Sequence, residues 1–221
     1  MKRIISYLPV LVVLFLMAMN NVYGEVSFGL KGGISVMNMV GEESSGENNE
    51  SITGFSFGVF LTSETQEGFA FQPELLLVSK GTKADYSPYF IAVEKDRITY
   101  LEIPLLTKYI IPAGGGIGIS LFAGGSLGLL LGATYELTGI DAYYIADLLG
   151  ISTTGTYEDL GVDMNSIEFS LVFGFDVGFE LPQGMLIIDL RYDLGLTSAY
   201  DTNLTDSVKN RGIIIMAGYS F

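Results

Sequence analysis

Residues 211–221, with the sequence RGIIIMAGYSF, alternate between a bulky apolar face and a face of mostly smaller side chains. Counted back from the last residue, the bulky face carries Phe221, Tyr219, Ala217, Ile215 and Ile213. Side chains alternate across a β-strand, so one face of this segment is apolar and ends in aromatic rings. This pattern is typical of a membrane-barrel strand that contacts lipid.

The first 24 residues have the layout of a secretory signal peptide. Two basic residues open the segment, an apolar run continues to Met19, and Gly24 provides a small residue before the expected cleavage. We therefore predict a signal peptide at residues 1–24 and one barrel domain at residues 25–221. An uncleaved membrane anchor is the alternative, and the shortness of the apolar run disfavours it.

The composition of the remaining chain excludes several classes of protein. Beyond residue 24 there are 25 acidic and nine basic residues, a net charge of −16. A surface this acidic argues against nucleic acid as a partner. The chain has no cysteine, which excludes disulfides, thiol chemistry and a cysteine-linked lipid anchor. No apolar run long enough for a transmembrane helix follows the signal segment, so a membrane structure would have to be a closed barrel.

Period-two alternation recurs along the chain and predicts the fold class. The alternating segments are residues 26–36, 54–62, 69–80, 100–109, 117–132, 167–179, 186–196 and 211–221. In each segment one face is rich in Phe, Leu, Ile and Val, and the other carries Gly, Ser and charged residues. We predict an all-β fold, an eight-stranded antiparallel up-and-down transmembrane β-barrel.

Residue size predicts which face points outward. The lumen of an eight-stranded barrel is only wide enough for side chains to fill, and eight rows of Phe and Leu would overpack it. The bulky faces, including Phe57, Leu105 and Phe173, are therefore predicted to face lipid. In a soluble barrel of the lipocalin type, which is the alternative, the same residues would fill the interior.

The lengths of the predicted links predict the orientation. Short links are expected at residues 63–68, 112–116 and 181–184. Longer, more polar links are expected at residues 40–51, 81–96, 136–165 and 198–210, and the third contains a segment that could form a helical turn or an extended hairpin. Short turns at one rim and long loops at the other are typical of the bacterial outer membrane, with both termini periplasmic.

Several motifs resemble the PorT-like outer-membrane β-barrel family of Bacteroidota, which are Gram-negative bacteria. The most specific is LEIPLLTKY at residues 101–109, supported by FQPEL at 71–75, GLKGG at 29–33 and RYDLGL at 191–196. The resemblance covers the chain from residue 25 to the end. It implies an eight-stranded barrel. The name-giving member is associated with protein secretion across the outer membrane, but most relatives have no assigned role, so the resemblance supports the fold more than the function.

Charged residues on the small face predict a network inside the barrel. The predicted members are Lys31, Glu74, Glu102, Lys108, Glu168, Asp176, Asp189, Arg191 and Asp193. A charge in a narrow lumen is costly unless it is paired, and both signs occur along these strands. Arg191 lies between Asp189 and Asp193 on one strand face, which predicts a local triad. An ion path or a hydrolytic pair of carboxylates is the alternative reading of the same residues.

Motifs that would indicate catalysis are weak here. Residues 124–128 match the G-x-S-x-G pattern of a nucleophile elbow, but they lie in a predicted strand and the chain has no histidine to act as a base. The glycine run at residues 113–116 precedes no helix that could bind phosphate. Clustered glutamates at residues 42–50 lack the spacing of a calcium loop and indicate a solvated anionic loop. We predict no enzyme activity, no cofactor and no metal site.

Aromatic residues near strand ends predict an interface girdle and an assembly signal. The girdle residues are Phe28, Phe69, Tyr109, Phe179, Tyr219 and Phe221. Tyr219 and Phe221 resemble the terminal signals read by the barrel-assembly machinery. The partners predicted for this chain are outer-membrane lipid and lipopolysaccharide, that machinery, and a protein bound at the loops or periplasmic turns of a monomeric barrel.

Four functions fit the sequence. The leading hypothesis is a non-enzymatic structural or accessory barrel with a closed, charge-paired lumen, which contacts another protein. A narrow passive channel for small solutes or ions is the second. A barrel hydrolase using lumen carboxylates and a soluble ligand-binding barrel are the third and fourth.

Overall fold

The computed structural model describes residues 25–41, 49–65, 67–85, 91–200 and 207–221. The predicted signal peptide and most of the predicted glutamate-rich loop lie outside the described residues. Nine strands and one helix occupy the described part of the chain. In chain order they are β1 (Glu25–Val40), β2 (Asn49–Glu64), β3 (Phe69–Asp85), β4 (Val93–Gly114), β5 (Ile117–Thr138), α1 (Ala142–Leu149), β6 (Thr154–Thr156), β7 (Ile167–Leu181), β8 (Gly184–Gly195) and β9 (Lys209–Ser220).

Eight of these strands form a closed antiparallel barrel, as the sequence predicts. Each strand pairs with its neighbours in the order β1, β2, β3, β4, β5, β7, β8 and β9, and β9 pairs with β1 to close the ring. Closure leaves no open sheet edge. The short strand β6 adds only to the end of β5, through residues 134–136. The described helix is too short to cross a membrane.

The links between strands lie at two different ends of the barrel. One end, here called the short-turn end, carries the tight β2–β3, β4–β5 and β7–β8 links, together with the start of β1 and the end of β9. The other, the long-loop end, carries the four remaining links. The β4–β5 turn uses consecutive glycines at residues 114–116 with φ of 83°, 63° and 74°, a left-handed conformation that side chains disfavour.

The strand register places the bulky face outward, as predicted. Phe57, Leu105 and Phe173 are 49%, 50% and 48% exposed, whereas the alternate positions on the same strands are largely covered. The outward apolar side chains form a belt around the wall. The interpretation as a soluble barrel with an apolar interior is therefore wrong.

The strands extend further toward the long-loop end than the sequence indicated. β3 runs to Asp85, β4 starts at Val93 and β5 continues to Thr138, so parts of the predicted 81–96 and 136–165 links are strand. The physical reason is that the outward face above the apolar belt is polar. The hydrophobic alternation that marks a strand is lost there, while the backbone pairing continues.

A bulge in β5 changes the predicted face of its last residues. Thr99 pairs with Gly132 and Tyr100 pairs with Leu130, so Leu131 is an extra residue that reverses the alternation. Gly132 is therefore exposed on the outer wall, whereas the sequence placed it on the lumen side. Beyond the bulge, Tyr135 and Leu137 point inward and are buried.

Candidate functional site

The predicted lumen residues all lie on the inner face and are almost inaccessible. The nine predicted members are between 0% and 6% exposed. They come from β1, β3, β4, β7 and β8, so closure of the barrel brings together residues far apart in the chain. They form two groups of ion pairs and one separate pair.

The first group, here called the balanced cluster, contains Lys31, Glu74, Asp189 and Arg191. Lys31 Nζ lies 2.5 Å from Glu74 Oε1 and 3.1 Å from Asp189 Oδ2. Arg191 donates from Nη1 to Glu74 Oε2 at 2.8 Å and from Nε to Asp189 Oδ1 at 2.9 Å, and its Nη2 contacts both carboxylates. Two cations thus face two carboxylates, and the bidentate geometry satisfies most of their hydrogen-bonding groups.

Gln72 connects the balanced cluster to the separate Lys108–Asp176 pair. Its side-chain nitrogen donates to Glu74 at 2.6 Å, and its side-chain oxygen accepts from Lys108 Nζ at 3.0 Å. Lys108 also lies 2.6 Å from Asp176. This pair lines the inner part of a cavity of about 330 Å³ that opens at the short-turn end. Gln72 was not among the predicted members, although it lies on the same strand face as Glu74.

The second group, here called the Lys80 cluster, contains one cation and three carboxylates. Lys80 Nζ lies 2.7 Å from Glu102, 2.7 Å from Glu168 and 3.2 Å from Asp193. All four side chains are at most 2% exposed. With every group ionised, the cluster carries two negative charges in excess. Burial of surplus charge is costly, so this cluster is held less favourably than the balanced one.

The predicted triad around Arg191 is half wrong. Arg191 binds Asp189, but its other partner is Glu74, while Asp193 pairs with Lys80 on β3. Neighbouring residues on one face of a strand are about 6–7 Å apart. Because the lumen is narrow, side chains from other strands can come equally close and form the ion pair instead. Lys80 itself was not among the predicted members of the network. Its position six residues after Glu74, on the same face of the strand, was the available signal.

Aromatic rings and a glycine shape the space around the cations. Lys31, Lys80 and Arg191 lie over the rings of Phe60, Tyr100 and Phe122 at 5.2, 5.6 and 5.2 Å from the ring centres. A Cβ at Gly174 would lie 2.9 Å from the Phe122 ring and 2.8 Å from the Arg191 Cα. Here the glycine face predicted from sequence provides the room that the large side chains occupy.

The ion-paired side chains are suited to filling the lumen and to linking the strands across it. Among the described residues, no group of His, Asp or Glu side chains has the geometry to hold a metal ion. Asn210 donates from its side-chain nitrogen to Glu168 at 2.9 Å, and its side chain also interacts with the buried Tyr100 hydroxyl. The glycine-rich G-x-S-x-G segment lies within β5, so it forms no nucleophile elbow.

A smaller polar group lies nearer the long-loop end, above the apolar belt. Asp96 is 7% exposed and one of its oxygens has no hydrogen-bond partner. Burial, with a smaller contribution from Glu94, raises the pKa of Asp96 to about 7, against a lowering effect of a hydrogen bond from Tyr157. The hydroxyls of Tyr157 and Tyr200 lie 3.4 Å apart, and burial raises the pKa of Tyr200 to about 12.

Helix α1 presents apolar side chains at the long-loop end. Its small residues Ala142 and Ala146 pack on Leu137 of β5. The helix ends before Gly150, whose φ of 68° gives a left-handed cap. At the start of the helix, the Asp141 side chain accepts a hydrogen bond from the backbone N–H of Ile91 at 2.8 Å. The side chains that point away are strongly exposed: Ile140, Tyr143, Tyr144, Leu148 and Leu149, at 80%, 78%, 61%, 67% and 63%.

The predicted aromatic residues gather at the short-turn end. Phe221 stacks on Phe28 with ring centres 6.3 Å apart and contacts Tyr219 edge-on at 5.0 Å. Phe69 and Tyr109 form another pair, 5.0 Å apart. The Tyr219 hydroxyl donates to the Gln183 carbonyl at 2.6 Å, which joins the end of β9 to the β7–β8 turn. The exposed rings are arranged as the predicted girdle requires.

This chain is similar to a protein-family model and to several solved structures. A family model described as outer membrane protein beta-barrel domain matches residues 18–201. Similar solved structures include Ail of Yersinia pestis, with 14% identity and TM-score 0.42, over 90% of this chain and 99% of that one. Neisserial surface protein A has 15% identity and TM-score 0.45, over 89% and 99%. Outer membrane protein W of E. coli has 9% identity and TM-score 0.43, over 90% and 100%.

No curated protein shows significant similarity to the chain. The solved structures are too distant to indicate an activity, and the family model covers most of the sequence. On that match, the chain belongs to the outer membrane protein beta-barrel domain family and is an antiparallel β-barrel of the bacterial outer membrane.

Proposed function

We propose that this protein is a non-enzymatic outer-membrane anchor that presents its long-loop end to a protein partner. We also propose that it belongs to the PorT-like branch of its family and is made with a signal peptide at residues 1–24 that is removed. Its short-turn end, with both termini, faces the periplasm. Long loops on the cell exterior and short turns inside are the usual arrangement of such barrels.

The observation that supports this role best is the ion-paired lumen. The balanced cluster and the Lys80 cluster occupy the middle of the barrel, and their charged side chains are at most 2% exposed. A lumen filled in this way by opposite charges gives a rigid wall with no open path for solutes. The useful surfaces of the molecule are then its two ends.

The partner surface that we propose is the exposed side of α1. An apolar set at the long-loop end is formed by Tyr143, Tyr144, Leu148 and Leu149 on the helix and by Ile140 just before it, and the two alanines of the helix hold it to the barrel. Aromatic and aliphatic side chains dominate the energetics of protein interfaces. A partner with an apolar groove is therefore the expected occupant.

Cross-linking and purification from native membranes test this role. The triple variant Tyr143→Ser, Tyr144→Ser and Leu148→Ser should lose the captured partner, because the apolar anchors are removed. A variant with Glu158→Ser and Asp163→Ser, exposed positions in the same link, is the matched control and should retain it. Recovery of only lipopolysaccharide and bulk porins with the wild-type protein would contradict the proposal.

A narrow channel is the second candidate, and the cavity at the short-turn end favours it. That cavity of about 330 Å³ reaches inward to Lys108 and Asp176. Purified protein in a planar bilayer decides between the two functions. We expect a silent bilayer, whereas steady conductance that changes in Lys108→Ala would favour the channel.

We further propose that the C-terminal aromatic pair acts in assembly. Phe221 is 66% exposed and contacts Phe28 and Tyr219, so little of the barrel interior depends on it. Deletion of Phe221 should lower the amount of folded protein in the outer membrane, and Phe221→Tyr, the conservative control, should preserve it. Normal levels of the truncated protein would refute the assignment.

A further inference from the structure

The basic residues of the described chain are divided between two places. Lys31, Lys80, Lys108 and Arg191 lie in the lumen, and they are all buried. The other five, Lys83, Lys95, Arg97, Lys209 and Arg211, lie outside the buried lumen network, near the long-loop ends of β3, β4 and β9. Among the described residues, none lies at the short-turn end of the outer wall. The chain has a net charge of −14, so its few outer cations stand out by lying together at one end of the barrel.

The outer cations lie just beyond the apolar belt. On β4 the outward positions read Lys95, Arg97 and Thr99, and the apolar positions from Leu101 follow them toward the short-turn end. Successive outward positions on a strand are about 6–7 Å apart. The cations are therefore at the height where the headgroups of the surrounding lipid begin.

Three of these cations converge on a depression in the outer wall. Lys83, Lys95 and Arg97 line a hollow of about 330 Å³ between β2 and β5, together with Thr53 and Thr134. Lys83 and Lys95 are direct cross-strand partners, and such a like-charge pair is destabilising unless an anion neutralises it. Arg97 donates to Ser79 at 3.2 Å, and it forms no ion pair within the described part of the chain.

The carboxylates around the hollow leave positive charge available. Glu50 binds Lys83 at 2.5 Å, and that hydrogen bond raises the pKa of Lys83, with a smaller contribution from Asp85. Glu136 lies 4.0 Å from Lys95, too far for a strong bond. Lys95 and Arg97 are thus the groups best placed to take a further anion.

We infer that this hollow binds the phosphorylated headgroup of a glycolipid in the outer leaflet. A guanidinium and an ammonium side by side suit a phosphate group, through bidentate and point-charge contacts respectively. The apolar belt directly below would contact the acyl chains of the same molecule, which a soluble anion would not use. The inference rests on the proposed orientation, with the long-loop end outside.

Lipid retention by purified protein tests the inference. Protein in phosphatidylcholine nanodiscs is supplied with bisphosphorylated lipid A or with the same lipid after phosphatase treatment, and the bound lipid is counted by native mass spectrometry. Wild-type protein should prefer the phosphorylated lipid by about tenfold or more, since removal of the phosphates removes the charge-assisted hydrogen bonds to Lys95 and Arg97. Lys95→Gln with Arg97→Gln should abolish that preference.

The control is a second pair of outer cations. Lys209 and Arg211 are exposed on β9, four strands away from β4 in either direction round the ring. Lys209→Gln with Arg211→Gln removes the same charge and should keep the preference. Equal losses in the two double variants, or equal retention of the two lipids by wild-type protein, would overturn the site. Complete displacement of lipid A by inorganic phosphate would overturn the commitment to a lipid.

These outcomes are separate from those for the proposed function. A silent bilayer and a captured partner, combined with no lipid preference, would remove only the lipid site. Conductance, combined with a phosphate-dependent preference that Lys95→Gln with Arg97→Gln abolishes, would remove only the sealed-anchor proposal.

Discussion

The balanced cluster and the Lys80 cluster occupy the same lumen but differ in how far their buried charges are balanced. The first pairs two cations with two carboxylates, and Gln72 donates an additional hydrogen bond to Glu74 Oε1. The second surrounds one ammonium group with three carboxylates. The difference shows that the balance of positive and negative charge is set separately within each cluster of this lumen. One cluster depends on several mutual contacts and the other on a single residue.

Replacement of that single residue should have the largest effect. Lys80→Met leaves three buried carboxylates without a cation and should lower the free energy of unfolding by about 3–5 kcal/mol. Urea unfolding followed by circular dichroism in detergent measures it. Lys83→Met, three residues along on the outer wall, is the matched control and should change stability little, because its bridge to Glu50 is exposed. Similar losses in both variants would contradict the assigned faces of β3.

Removal of one carboxylate from each cluster should separate the two clusters directly. Glu74→Gln strips the shared partner of Lys31 and Arg191 and should cost about 3–4 kcal/mol. Glu102→Gln removes surplus negative charge around Lys80, so it should cost less than about 1 kcal/mol or stabilise the barrel. The same unfolding measurement compares them. A larger cost for Glu102→Gln would show that the second cluster is not overcharged.

A charge introduced on the outward face of β4 tests where the apolar belt ends. Leu105→Arg, in the middle of the apolar belt, should cost about 2–4 kcal/mol because lipid offers no partner. Thr99→Arg, on the same face at the edge of the belt, should cost about 0–1 kcal/mol. Unfolding from lipid vesicles provides both values. Equal costs at the two depths would mean that the belt does not end where the outer cations begin.

Asp96 extends the comparison to a buried carboxyl group that pairs with no cation among the described residues. Its pKa is raised from 3.8 to about 7, so the folded state binds the proton more tightly than the unfolded state. Protonated Asp96 therefore favours the folded state. Its contribution to the free energy of unfolding is fully present below about pH 4 and is lost as the pH rises to about 7. Asp96→Asn should therefore be more stable than the wild type by about 1–3 kcal/mol at pH 8, and the difference should shrink toward pH 4. Unfolding at a series of pH values tests the trend, and a pH-independent difference would contradict it.

Much of the wall could be predicted because a membrane imposes a strict rule on each strand. Outward positions must be apolar and lumen positions must be small or paired, so the alternation of 54–62 or 167–179 determines strand, face and fold class without tertiary information. The prediction weakened where that rule stops. The ends of β3, β4 and β5 lie beyond the apolar belt, and the Leu131 bulge reverses a face without changing the local composition.

The sequence by itself determined that the nine predicted charged residues would be in the lumen, since two-residue periodicity is a local property. Only the tertiary structure decided their partners. Arg191 pairs with Glu74 on β3 and not with its strand neighbour Asp193. Lys80 pairs with carboxylates from β4, β7 and β8. The same holds for the hollow on the outer wall, where Lys95 meets Lys83 across the sheet. Contacts of this kind depend on strand stagger and barrel closure, which place residues more than a hundred positions apart within hydrogen-bond distance and leave no periodic trace in the chain.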